Sequence, residues 1–168
     1  MARQQFIWAR EGIDKGRAEA AGGLPDDDVI VVERGIRGGD FSNAGAGATE
    51  IKRVVKKLAI PPAVARRAGI ACFEAEVNVI VYAREGSIAA RISPASIAVT
   101  VTDKGPGIPD IEQAMVPGWT TATPEVREMG FGAGLGLPNI LQNADYLRIE
   151  SETDLGTTVY FVIFLDGS

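Results

Sequence analysis

Gly130-Phe131-Gly132-Ala133-Gly134-Leu135-Gly136-Leu137-Pro138-Asn139-Ile140 sets four glycines at alternate positions directly before an apolar segment with helical character. Backbone amides at a glycine-rich helix start make an anion site. The first-turn N–H groups have no intrahelical acceptor, and the helix dipole adds positive charge there. A flexible loop tip is the plainer reading, and the apolar helix that follows argues against it. The spacing is not G-x-G-x-x-G, because Leu or Asn stands where the third glycine should be, and no G-x-x-x-x-G-K-[ST] occurs. Rossmann and P-loop readings are thereby removed.

Working back toward the N-terminus, Asp103-Lys104-Gly105-Pro106-Gly107-Ile108-Pro109-Asp110 follows an alternating apolar run, Ile97, Val99 and Val101. One acid at a strand end, then Gly-Pro-Gly, is a tight turn that lets backbone approach a flat ligand. Asp103 is placed to accept a hydrogen bond from an adenine amino group. An Asp-initiated turn with no ligand is the competing reading. Further back, Glu74 and Asn78 lie at i and i+4 and share one face of a helix. Glu74 has mostly apolar company in Ile70, Ala71, Cys72 and Phe73. A carboxylate there is costly unless a ligand, metal or hydrogen bond compensates. The side-chain carbonyl of Asn78 suits Mg²⁺, a hard ion. Two polar residues on a helix rim are the plainer account. Toward the C-terminus, Gly156-Thr157-Thr158-Val159 enters the last strand, and a hydroxyl there can reach a base directly or through water.

The bulk numbers bound what these pieces serve. The chain has 168 residues, 46% apolar and 23% charged, which suits one domain with one core. A net charge of −5 and the lack of a long Lys/Arg stripe argue against a nucleic-acid partner. Lys52, Arg53, Lys56 and Lys57 read as the solvated face of one helix. With one cysteine, Cys72, no disulfide framework forms within the chain, which fits a reducing cytoplasm. Cys72 reads as a small core residue before it reads as a reactive thiol. The absence of histidine excludes His-based zinc sites, a Ser-His-Asp triad and a phosphorylated histidine in this chain. No apolar run approaches the roughly 20 residues that span a bilayer, so no membrane partner is expected, and the expected location is the cytoplasm.

The coarse element order follows. Residues 1–25 are polar and end in Gly22-Gly23-Leu24-Pro25. They read as an arm, or a short helix, outside the main core, with the main domain over 26–168. Residues 29–32 predict a strand that Gly35 to Gly39 break. A helix capped by Ser42 or Asn43 runs to about Leu58. Pro61-Pro62 opens a second helix to about Ala83, with Ile70, Phe73, Val77 and Val81 as its buried face. Strands follow near 87–92 and 96–102, then a helix over 137–144, then strands over 147–151 and 157–165 joined at Asp154-Leu155-Gly156. The fold class is α+β: a two-layer α/β sandwich with a mixed, mostly antiparallel sheet and helices packed on one face.

Taken together, the four pieces resemble the GHKL ATPase/kinase superfamily, the Bergerat fold shared by DNA gyrase, heat-shock-90 chaperones, MutL and histidine kinases. Glu74-x-x-x-Asn78 resembles its N box, Asp103-x-Gly105-x-Gly107 its first glycine box, Gly132-x-Gly134-x-Gly136 its second, and Gly156-Thr157 its closing box. The segment from about 110 to 130 looks like the ATP lid. Within the superfamily the chain is most similar to the RsbT-like anti-sigma regulatory factors, small serine/threonine kinases, over about 28–166. Ile36-Arg37-Gly38-Gly39-Asp40-Phe41 adds to that likeness. Residues 1–25 have no counterpart in it, and Tyr82 stands where such kinases often carry histidine.

The resemblance implies ATP and Mg²⁺ as ligands. Asn78 would ligate the metal, Asp103 would read adenine with Gly105, Gly107, Ile108 and Thr157 around the base, and Gly132, Gly134, Leu135 and Gly136 would hold phosphates. Glu74 would be the general base that takes a proton from a partner's Ser or Thr. It also implies a STAS-domain anti-sigma-factor antagonist as substrate, with a sigma factor or a PP2C-type phosphatase as further partners. Two alternatives stand beside this kinase: a nucleotide-sensing switch without catalysis, and a histidine kinase catalytic domain. The second alternative could act only on another chain. Asp103 is expected to carry ATP affinity. Residues 117–124, with Trp119, should be mobile without nucleotide and close with it, and Arg127 is the lid's cation.

Overall fold

A computed structural model describes residues 3–166. Six strands form one sheet in the order β1-β5-β6-β4-β3-β2: β1 Arg3–Ala9, β2 Ile30–Arg37, β3 Glu85–Ile92, β4 Ser96–Asp103, β5 Tyr146–Glu152 and β6 Gly156–Phe164. Every pairing is antiparallel. Helices α2 (Ala46–Lys57), α3 (Pro62–Tyr82) and α6 (Gly136–Asn143) cover one face, and two short helices, α4 (Ile111–Ala114) and α5 (Pro124–Glu128), lie in the segment between β4 and α6. The main core fills the space between sheet and helices, with Ile97, Val99, Val101, Leu147, Ile149 and Phe161 turned inward from the strands. The alternation read in β4 therefore holds. Its other face, at Ala98, meets a smaller cluster built with Tyr146, Tyr160 and Val162.

Of the arm or short helix expected over residues 1–25, the described part, residues 3–25, holds a short helix as well as a strand that this sheet takes into its edge. Arg3–Ala9 pairs with β5 over its whole length, and Phe6 and Trp8 pack against the main core. Alternation at Gln4, Phe6 and Trp8 gives this strand an inward face. The helix α1 (Lys15–Ala21) then crosses to the opposite side of the sheet, where Ala18 and Ala21 close the small cluster. Two other readings shift. β2 runs on through Gly35 to Arg37 because the full ladder with β3 holds it. Of the expected buried face of α3, Val77 is buried but Phe73 is exposed, so the main buried face is shifted from the expected one. Ala68, Ala71, Cys72, Ala75, Val79 and Ile80 face the core instead, since small side chains let a long helix lie close to the sheet. Cys72 is fully buried and burial pushes its thiol up, so it is an inert core residue.

The start of α2 is also displaced. Ser42 and Asn43 sit in a short 3-10 turn, where both donate to the Asp40 carboxylate. The helix begins after Gly45, and its cap comes from across the layer. Glu76 of α3 accepts from Gly45 N at 2.7 Å and Ala48 N at 2.9 Å. The first-turn amides of α2 are buried against α3, so a distant carboxylate satisfies them. Asp145, at the start of β5, does similar work at the other end. Its carboxylate takes Arg67 at 2.8 Å and the backbone N–H of Phe164 at 2.8 Å, tying α3 to the sheet. Removing one partner of such a buried pair costs about 3–5 kcal/mol.

Candidate functional site

The i and i+4 spacing on α3 places Glu74 and Asn78 together, and α6 packs alongside that face. A Cβ built on Gly136, the first residue of α6, would lie 3.0 Å from Asn78 Oδ1 and 3.3 Å from Glu74 Oε2. The two polar groups of the helix therefore meet the start of α6 at close range, where a side chain larger than glycine would have to push them aside. Burial pushes the carboxyl of the half-buried Glu74 above the usual carboxylate range, while the Asn139 side chain on α6 opposes the shift. Glu76, two residues on, is fully engaged in capping α2 and stands outside this cluster.

Asp103 closes β4 and opens a tightly braced turn. Its Oδ1 accepts from Gly105 N at 2.9 Å and Thr157 N at 3.2 Å. Its Oδ2 has no protein hydrogen bond among the described residues. Burial raises the Asp103 carboxyl, and the two backbone amides partly offset this. Gly107 lies against the carbonyl of Glu152, and Asp154 N donates to Pro106 O at 2.9 Å, so the turn rests on the β5–β6 hairpin. Ile108 packs against the main core, and its N–H donates to Ser151 Oγ at 2.7 Å.

Thr157 is buried, and its hydroxyl lies 2.9 Å from Ser151 Oγ. It reaches Asp103 through its backbone. Sequence reading missed Ser151. The signal was the alternation Leu147, Ile149, Ser151, which puts a hydroxyl at a core-facing position opposite Thr157.

The second glycine loop meets the lid. Gly118 N donates to Gly134 O at 2.9 Å, and Gly134 adopts φ +79°. A Cβ there would fall 2.5 Å from backbone atoms of Gly118 and Trp119. Gly132 faces Ala122, and the Phe131 ring packs on Phe41 at 5.1 Å between centroids. Leu135 is exposed. The lid holds more order than its composition suggested: Asp110 caps α4 and Thr123 caps α5, each accepting from an N–H three residues on. Tyr82, at the end of α3, lies 3.1 Å from the Thr120 hydroxyl. Arg127 is exposed on α5.

The structure thus brings Glu74, Asn78 and Gly136 into one cluster, and Asp103, Gly105, Gly107, Ile108 and Thr157 into another. Gly132 and Gly134 lie under the lid. Among the described residues there is no group of three or more His, Cys, Asp or Glu that could hold a metal. A hard cation held by Asn78 would need phosphate oxygens and water to complete its shell. No helix among the described residues is long and apolar enough to cross a membrane.

Comparisons with known proteins bear on the family. A family model described as histidine kinase-, DNA gyrase B-, and HSP90-like ATPase matches residues 63–167, which include both clusters and the lid. An anti-sigma F factor of Geobacillus stearothermophilus is 39% identical over 94 residues, 52% of this chain and 60% of the relative. One of Bacillus licheniformis is 32% identical over 102 residues, 56% of this chain and 66% of the relative. The chain therefore matches less than two thirds of the length of either relative. Among solved structures, a mycobacterial sensor histidine kinase, MprB, shares 19% identity with a TM-score of 0.46, over 79% of this chain and 97% of that one.

Proposed function

We propose, on the premise that this chain belongs to the histidine kinase-, DNA gyrase B- and HSP90-like ATPase family, that it is a Mg-ATP-dependent serine/threonine kinase of the anti-sigma-factor type. The observation that carries this reading is the convergence of Glu74 Oε2 and Asn78 Oδ1 on Gly136 at the start of α6. The first-turn amides of α6 offer a seat for phosphate. Asn78 offers the neutral oxygen for Mg²⁺. Bound there, the ion would neutralise charge developing on the phosphates. Asp103 Oδ2 is open to an adenine amino group, with Ile108 as an apolar wall.

The reaction is transfer of the γ-phosphoryl group to a partner hydroxyl. The hydroxyl oxygen forms the new bond to phosphorus, the bond from the γ-phosphorus to the bridging oxygen breaks, and ADP leaves. The hydroxyl proton passes to Glu74. Burial raises the Glu74 carboxyl, so its ionised form holds a proton more tightly than a carboxylate in water does, which suits a general base. The protein substrate we propose is a STAS-domain anti-sigma-factor antagonist, with a sigma factor as the partner that is held or released. A PP2C-type phosphatase is a further proposed partner. Arg127 on the lid is assigned the γ-phosphate or a partner acid.

Incubation with γ-labelled ATP, Mg²⁺ and the STAS-domain protein of the same organism tests the reading. Label on a Ser or Thr of the partner is expected. A partner that binds the wild-type chain and never takes label would leave a nucleotide-dependent binding switch in place of a kinase.

A further inference from the structure

Gln4 lies on β1, outside the segment that the family model matches, and shares an inward face with Phe6 and Trp8. Its side-chain amide grips the joint between the first glycine loop and the lid. Nε2 donates to Ile108 O at 2.8 Å and to Pro109 O at 2.8 Å. Oε1 accepts from Ile111 N at 3.0 Å. Ile111 is the first residue of α4, and Ile108 is held from the other side by Ser151 Oγ.

The joint over 108–111 has no ladder partner, so its carbonyls and N–H must be satisfied some other way. One carboxamide supplies two donors and an acceptor on a single side-chain end. Lysine has no acceptor, an ionised glutamate has no donor, and asparagine is one methylene shorter. The orientation of the amide follows from the network, because the reverse would set its oxygen against two carbonyls.

We infer that Gln4 is a positioning residue for the nucleotide site: from the edge strand it fixes the Ile108 wall and the joint from which the lid hangs. The inference rests on the Mg-ATP reading of the site. Gln5, on the other face of β1, donates to Glu150 Oε1 at 3.0 Å and makes no side-chain hydrogen bond to the joint among the described residues, so it serves as the control.

The test measures Mg-ATP affinity by calorimetry and hydrogen exchange at the Ile111 amide. Gln4→Ala is expected to weaken Mg-ATP binding about tenfold and to speed exchange at Ile111 by a similar factor. Gln5→Ala should leave both unchanged. Equal losses in the two variants would reduce β1 to a structural edge and overturn the inference, as would wild-type affinity in Gln4→Ala. If the unmodified chain binds no Mg-ATP, the functional reading fails and takes this inference with it. Should Gln4→Ala fail to fold, Gln4→Glu keeps the length and the acceptor for Ile111 N. Its ionised carboxylate faces two carbonyl oxygens, and protonation returns one donor. Its affinity relative to wild type should be poor near pH 8 and recover toward about pH 5. A ratio that ignores pH would overturn the role.

Discussion

Asp103 and its glycine loop are tied to three other strands and a hairpin turn, whereas the loop from Gly130 to Gly136 is tied mainly to the lid. On the first side, Thr157 N, Ser151 Oγ, Gln4 and the Asp154–Pro106 bond hold the turn against β6, β5, β1 and the hairpin between β5 and β6. On the second, Gly134 O meets Gly118 N, Phe131 N donates to Val126 O, and α3 meets the loop near Gly136. Segments held by few buried contacts open at lower free energy. On the proposed reading, the end assigned to the base is thus built in advance, and the end assigned to the phosphates takes its shape from the lid segment. In a kinase this division assigns affinity to the first region and turnover to the second.

Separating those two assignments gives the largest expected effect. Glu74→Gln keeps the side chain's size and removes the base. It should still bind Mg-ATP, yet label a STAS partner at least about a hundredfold more slowly. Normal labelling would make Glu74 a structural polar residue only. Glu76 is no substitute, since both its oxygens cap α2.

Asp103→Asn strikes the other region. An asparagine keeps an oxygen for Gly105 N and Thr157 N but turns a donor toward the adenine amino group. A charged acceptor is worth roughly 1.5–3 kcal/mol, so ATP affinity should fall about 10–100-fold. Melting temperature should change little. Wild-type affinity by calorimetry would remove Asp103 from the base pocket.

The same contrast explains what was legible in the sequence. Local signals were strong where one element carries its own pattern: the i and i+4 pair on α3, the alternation of β4, the acid followed by Gly-Pro-Gly. Long-range partners were not legible. Glu76 caps a helix whose start lies 31 residues earlier, and Gln4 reaches a turn 104 residues later. Neither shows a local periodicity. β1 was read as an arm because Arg3, Gln4 and Gln5 make nearly half of the strand polar, and only its pairing with β5 turns Phe6 and Trp8 into core contacts. The shifted face of α3 escaped because apolar residues lie on several of its sides, so spacing alone could not choose the one beneath which the sheet lies.

A smaller effect is expected at the lid. The Tyr82–Thr120 hydroxyl pair links the end of α3 to the lid. Tyr82→Phe removes one such bond, worth about 0.5–1.5 kcal/mol. Hydrogen exchange over 118–122 should speed up roughly 2–10-fold without nucleotide. Trp119, one residue before Thr120, should report lid closure as a change in emission when Mg-ATP is added. If Trp119 emission and exchange in this segment ignore Mg-ATP, the lid does not gate the site.

The smallest expected effect concerns stability. Burial raises the Glu74 carboxyl above its value in the unfolded chain. A carboxyl raised by folding binds its proton more tightly in the folded state, so its ionised form works against the fold. That cost is absent below the unfolded pKa, grows as pH rises between the unfolded and folded values, and is fully present above the folded one. Glu74→Gln carries no such cost. The ligand-free variant should therefore melt slightly higher than wild type at neutral pH, and the gain should vanish on acidification below the usual glutamate range. Melting curves across that range check both the sign and the pH dependence. A variant that melts lower at neutral pH would mean that the ionised carboxylate is stabilised in the free protein, and Glu74 would be a structural partner of α6 rather than a strained base. The same substitution thus separates function from stability: the group that slows turnover most when removed is one the fold holds at a cost.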